Sequence, residues 1–148
     1  MIAPLQAELD DALRAIVDDM SAATTQLILV LDEEREALNR ADANALNRAG
    51  EAKQMLMRRL EQLDAERLHM SSSSAHATQA VQPAWSALLK TLTTCRDKNQ
   101  RNGALVGQRL SQVRRALSVL TGNGNESSVY SHSGTLQAGH RSLPLAEA

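Results

Sequence analysis

The chain has 148 residues, 43% of them apolar, with Trp85 and Tyr130 as its aromatics and no phenylalanine. That size bounds it to one domain, and an aliphatic, alanine- and arginine-rich chain so poor in the aromatics that strands favour predicts an all-α fold. A formal net charge of −1, with 16 basic residues spread among 17 acidic ones, supplies no field for a polyanion and argues against nucleic acid as a partner.

From Leu5 to about Arg40 the residues Leu9, Leu13, Ile16, Met20, Leu27, Leu31 and Leu38 recur at steps of three, four or seven. This stripe predicts a helix packed against another helix, with Ala23 and Thr24 covering the gap in the middle. At about 1.5 Å per residue such a helix is a rod ~50 Å long. Asp10 with Arg14 and Glu36 with Arg40 are i,i+4 pairs in the favourable order.

The segment ADANA (41–45) tolerates either a bend or a turn. A tight turn, with Asp42 as N-cap, lets a second stripe of Leu46, Ala49, Leu56, Leu60, Leu63 and Leu68, over about 42–70, face the first as an antiparallel pair. Residues 71–82, SSSSAHATQAVQ, are small, polar and aperiodic and predict a mobile connection. Pro83 suits the first turn of a third helix over about 83–120, whose inward positions are Trp85, Leu88, Leu89, Leu92, Cys95, Val106, Leu110, Val113, Leu117 and Leu120. Gly122 is a natural stop. Residues 121–148 are rich in Gly, Ser and Asn and predict a disordered tail. The expected architecture is an elongated antiparallel helical hairpin or three-helix bundle with a flexible C-terminal tail.

The third helix breaks its own rules at NQRNGALV (99–106), where inward positions hold Asn99, Asn102 and Gly103. A mid-helix glycine costs roughly 1 kcal/mol relative to alanine, and Gly107 adds a second one turn later. Three roles are open to the asparagines: setting the register of the bundle, as a polar group on a seam does, standing exposed, or shaping a binding site. The GxxxG spacing of Gly103 and Gly107 reads either as a close helix contact or as a plain weak point. Leu110, Val113, Leu117 and Leu120 read either as the bundle's own seam or as anchors for a partner helix. Trp85 reads as a core end-cap ahead of a binding anchor, and Tyr130, an aromatic with no core to join, as a partner contact or an isolated exposed ring.

Catalytic chemistry finds no support. His69, His76, His132 and His140 match no zinc spacing, and Cys95 has no second cysteine. Asp32, Glu33 and Glu34 are consecutive, point in different directions on a helix and read as a solvated face. GNGNESS (122–128) lacks the lysine of a phosphate loop, and Cys95 on the inward stripe reads as a small core residue. No enzyme activity, cofactor or metal is expected. The N-terminus MIAPLQAELDD has neither a basic n-region nor an apolar h-region, and the longest apolar run, Leu27 to Leu31, falls far short of the ~20 residues of a membrane span. With a lone cysteine, these features predict a soluble protein of a reducing cytoplasm.

The order LDEEREAL (31–38), Asp42 with a leucine four on, KQMLMRRLEQL (53–63) ending near Arg67, NQRNGALV (99–106) and VYSHSG (129–134) resembles the FlgN family of flagellar export chaperones. The resemblance spans roughly residues 5–134, and its last two motifs are the specific ones. It implies a small cytoplasmic helical protein that holds the hook-filament junction subunits FlgK and FlgL before export. It further implies that the C-terminal helix captures the subunit's terminal helix and that the tail tyrosine helps dock the loaded chaperone on the membrane export gate. Carried over by position, the helical match singles out Asn99, Asn102 and Gly103, and the tail match Tyr130 and Gly134. The final LQAGHRSLPLAEA departs from the pattern. The expected function is ATP-independent, one-to-one binding of the subunit's helical end, with cargo recognition in about 99–120 through Val106, Leu110, Val113, Leu117 and Leu120, and with the free chaperone open to homodimerising through the same face. The alternative is a structural coiled-coil protein that self-associates and has no export role.

Overall fold

The computed structural model describes residues 2–122. They form four helices and no strand: α1 (Ile2–Arg40), α2 (Ala43–Ser73), α3 (Ala75–Ala80) and α4 (Gln82–Leu120). The all-α fold is the one the composition dictates. The expected tail, with Tyr130 and Gly134, lies outside the described residues. By compactness the chain divides into two units, Met1–Val106 and Gly107–Ala148.

In the first unit α1 and α2 form an antiparallel hairpin, and α4 runs parallel to α1. Pairs between α1 and α2 converge toward the turn, as in Glu34 with Lys53 and Asp19 with Arg59. Those between α1 and α4 keep a constant offset: Thr24 with Cys95, and Leu31 with Asn102, each 71 residues apart. The hairpin turn needs two residues. Asp42 N–H donates to Ala37 O at 3.0 Å and Ala41 N–H to Leu38 O at 3.3 Å, a Schellman closure of α1. Asp42 then caps α2, its Oδ1 accepting from Ala45 N–H at 3.0 Å. Ala41 sits at φ 54°, left-handed space that favours glycine.

The core follows the stripes. Leu13, Ile16, Val17 and Met20 of α1 pack with Leu63 of α2, Ala77 of α3, and Val81 and Leu88 of the α4 entry. Leu27 and Leu31 continue it with Cys95. Each fully buried leucine contributes roughly 1.5–3 kcal/mol. Ala23 and Thr24 fill the predicted gap, and the Thr24 hydroxyl donates to Met20 O at 2.7 Å. Trp85 packs half-buried against this core under the Arg67 guanidinium, 3.9 Å from the ring centroid, while Asp64 holds Arg67 from the other side at 2.8 Å. Leu68 and Leu89, placed inward by spacing, are exposed.

Residues 71–82 differ from the expected mobile connection. α2 continues to Ser73, and Ser74 both ends α2 and caps α3, its hydroxyl accepting from Ala77 N–H at 3.1 Å and from Gln6 at 3.2 Å. Ala77 and Val81, four apart, give this short turn one apolar side, and both are buried. Ordered packing thus overrides a composition that otherwise reads as a linker. Asp10 likewise faces His76 of α3 at 3.1 Å.

Candidate partner-binding face

The motif at 99–106 resolves into a polar clasp and an open stretch. Asn102 is 3% exposed, and its Nδ2 donates to Leu31 O at 2.9 Å and to Glu34 Oε2 at 2.8 Å. The other oxygen of Glu34 accepts from Lys53 Nζ at 2.6 Å, and Lys53 also donates to the Asn99 side-chain oxygen at 3.2 Å. Glu34, 7% exposed, is thus buried at the α1, α2 and α4 junction and not on a solvated face. The reason is geometric: Glu34 lies three residues after Leu31 on the core stripe, while Asp32 and Glu33 turn outward. No buried side-chain nitrogen or oxygen among the described residues lacks a partner, so the clasp is fully satisfied. It ties the three helices together at one register, the use of seam polar groups best attested in helical assemblies.

Gly103 and Gly107 support no close helix contact, since a Cβ built on either meets nothing within 4 Å. Val106, at the end of the first unit, is exposed.

Within the second unit, the end of α4 carries Leu110, Val113, Leu117 and Leu120 at 51%, 54%, 54% and 82% exposure. Their steps of three and four continue the α4 stripe whose earlier members Leu88, Cys95 and Asn102 are buried. At about 100° per residue, Val106, Leu110, Val113, Leu117 and Leu120 fall in a sector about 80° wide, the narrow seam of a helix that pairs with another helix. So of the predicted site residues Leu110, Val113, Leu117 and Leu120 share one exposed face of the second unit, and in the first unit Val106, Asn99 and Gly103 are exposed, whereas the side chain of Asn102 is committed to the bundle.

Sequence reasoning missed two features. Glu34 and Lys53, partners of the asparagines, had no signal beyond the spacing of Glu34 from Leu31. An open apolar groove of about 330 Å³ lies among Leu27, Leu31, Met57, Leu60 and Leu92, and the exposed Met57 within MLM (55–57) was its one trace. Burial and the hydrogen bond to Thr24 O at 3.7 Å fit Cys95 to a core role, and burial pushes its thiol pKa up, away from nucleophilic chemistry. Among the described residues no group of three or more His, Cys, Asp and Glu is placed to hold a metal, and no helix is long and apolar enough to cross a membrane.

Comparison with known proteins gives these features a family. The FlgN protein family matches over residues 1–138. The flagella synthesis protein FlgN of Salmonella typhimurium is 28% identical over 131 residues, 87% of this chain and 93% of the relative, and that of Salmonella typhi matches to the same extent. No solved structure matches. A family match over nearly the whole chain, residues 1–138, means that this chain belongs to the FlgN family.

Proposed function

We propose that this protein is a cytoplasmic, ATP-independent export chaperone for flagellar hook-filament junction subunits of the FlgK and FlgL type. It binds the helical end of one subunit on the α4 face of Val106, Leu110, Val113, Leu117 and Leu120, shields that end from premature assembly, and escorts it to the export gate. Tyr130 and Gly134 of the tail dock the loaded complex at the gate.

The observation that carries this reading is the apolar seam left exposed at the end of α4. A contiguous apolar stripe on a surface marks an interaction site, and anchors at i, i+3, i+7 and i+10 suit a helix laid alongside. Several aliphatic anchors, each worth roughly 1.5–3 kcal/mol when buried and offset by ordering costs, give a complex that holds yet releases. Membership of the family, whose Salmonella relatives are named as flagella synthesis proteins, supplies the flagellar setting.

The test is size-exclusion chromatography with light scattering on the chain mixed with a FlgK-type subunit. A new peak of one-to-one mass is expected, and it disappears with the double variant Val113→Ala, Leu117→Ala. Two unshifted peaks for the wild type, or undiminished binding by the variant, refutes the assignment.

A further inference from the structure

Between Asp97 and Glu126 the chain carries Lys98, Arg101, Arg109, Arg114 and Arg115 and no acidic residue, a local segregation that the near-zero net charge conceals. Two of these arginines border the exposed seam. Taking Leu117 as the centre at about 100° per residue, Arg109 lies about 80° to one side and Arg114 about 60° to the other. Both are exposed. Those are the positions from which charged side chains reach across to a paired helix and set which helix is accepted.

Resting on the reading of this face as the cargo site, we propose that it selects a helix whose apolar stripe is bordered by aspartate or glutamate, and that the same two arginines disfavour pairing with a second copy of this chain. In a complex with an acidic-edged helix, Arg109 and Arg114 each meet a carboxylate, and guanidinium groups pair with carboxylates in bidentate geometry. In a self-paired α4 each seam edge is bordered by arginine on both strands, a like-charge arrangement that works against association. The seam is also too narrow, and has too few aromatics, for a helix that lies in a lipid interface, where tryptophan and phenylalanine broaden the apolar side.

The experiment uses the full chain and two designed helical peptides with one leucine seam, bordered by glutamate in one and by lysine in the other. Titration calorimetry is expected to show the glutamate peptide binding at least tenfold more tightly, with the preference shrinking as salt rises and reversing in favour of the lysine peptide in Arg109→Glu, Arg114→Glu. Equal binding of both peptides, or preference for the lysine peptide, overturns the proposal. With the FlgK-type subunit as ligand, loss of binding in Val113→Ala, Leu117→Ala but none in the arginine variant overturns the charge selection and leaves the cargo site standing. Unchanged binding in both removes the cargo site itself. Light scattering on the free chain is expected to give a monomer. A wild-type dimer overturns the second half, and sedimentation with phosphatidylglycerol vesicles that needs the arginines while neither peptide is preferred overturns the first.

Discussion

Replacing Asn102 with alanine removes two hydrogen bonds from the clasp, and the structure says which one matters. Leu31 O is an interior carbonyl of α1 and keeps its own helical donor, so losing Asn102 there costs little. Glu34 Oε2 is buried and loses its 2.8 Å partner outright. A hydrogen bond to a charged group is worth about 1.5–3 kcal/mol, and the expected loss is therefore about 2–3 kcal/mol, or roughly 4–12 °C in Tm. Urea unfolding followed by helical circular dichroism measures it as a lower midpoint with an unchanged slope. Asn102→Leu combined with Glu34→Leu is expected to recover most of the loss, because an apolar replacement of both partners leaves nothing unsatisfied while Lys53 retains a route to water. A change of less than about 0.5 kcal/mol in Asn102→Ala, or a double variant no better than the single ones, refutes the clasp as an energetic unit.

Other outcomes follow from single positions. Ala41→Gly at the left-handed turn residue is expected to raise stability by up to about 1 kcal/mol, while Asp42→Ala lowers it by about 1 kcal/mol by uncapping α2, both read by urea titration. The Cys95 thiol, its pKa raised by burial above 9.0, stays protonated in the folded chain after the unfolded chain has begun to ionise. Its contribution is therefore intact below about pH 9 and declines as pH rises further. A stability profile that falls more steeply above pH 9 in the wild type than in Cys95→Val, with slow thiol labelling of the native chain, checks this. Val113→Ala with Leu117→Ala leaves the unfolding free energy within about 0.5 kcal/mol of wild type, because both side chains are half exposed.

The long helices and their core stripe were legible because leucines at steps of three and four leave few alternatives, and Asp42 announced its own cap. The segment around Ser74 was hidden: one helical turn is too short to show a period, and its order comes from Ala77 and Val81 reaching a core built by distant residues. The asparagines of 99–106 were visibly out of place, yet Glu34 lies 68 residues from its partner Asn102 and Lys53 lies 46 from its partner Asn99, and only the fold brings the four together. The α4 stripe was equally regular on both sides of Val106, so spacing alone could not separate the buried half from the exposed one. Exposure of Leu110, Val113, Leu117 and Leu120 made that distinction.

Hydrogen–deuterium exchange of the full chain with and without a FlgK-type subunit shows whether the end of α4 holds the helical terminus of a junction subunit, as proposed. Slowed exchange of the amides of residues 107–120 on complex formation, with the α1–α2 hairpin unchanged, is the predicted result. A complex that forms without protecting that stretch contradicts it.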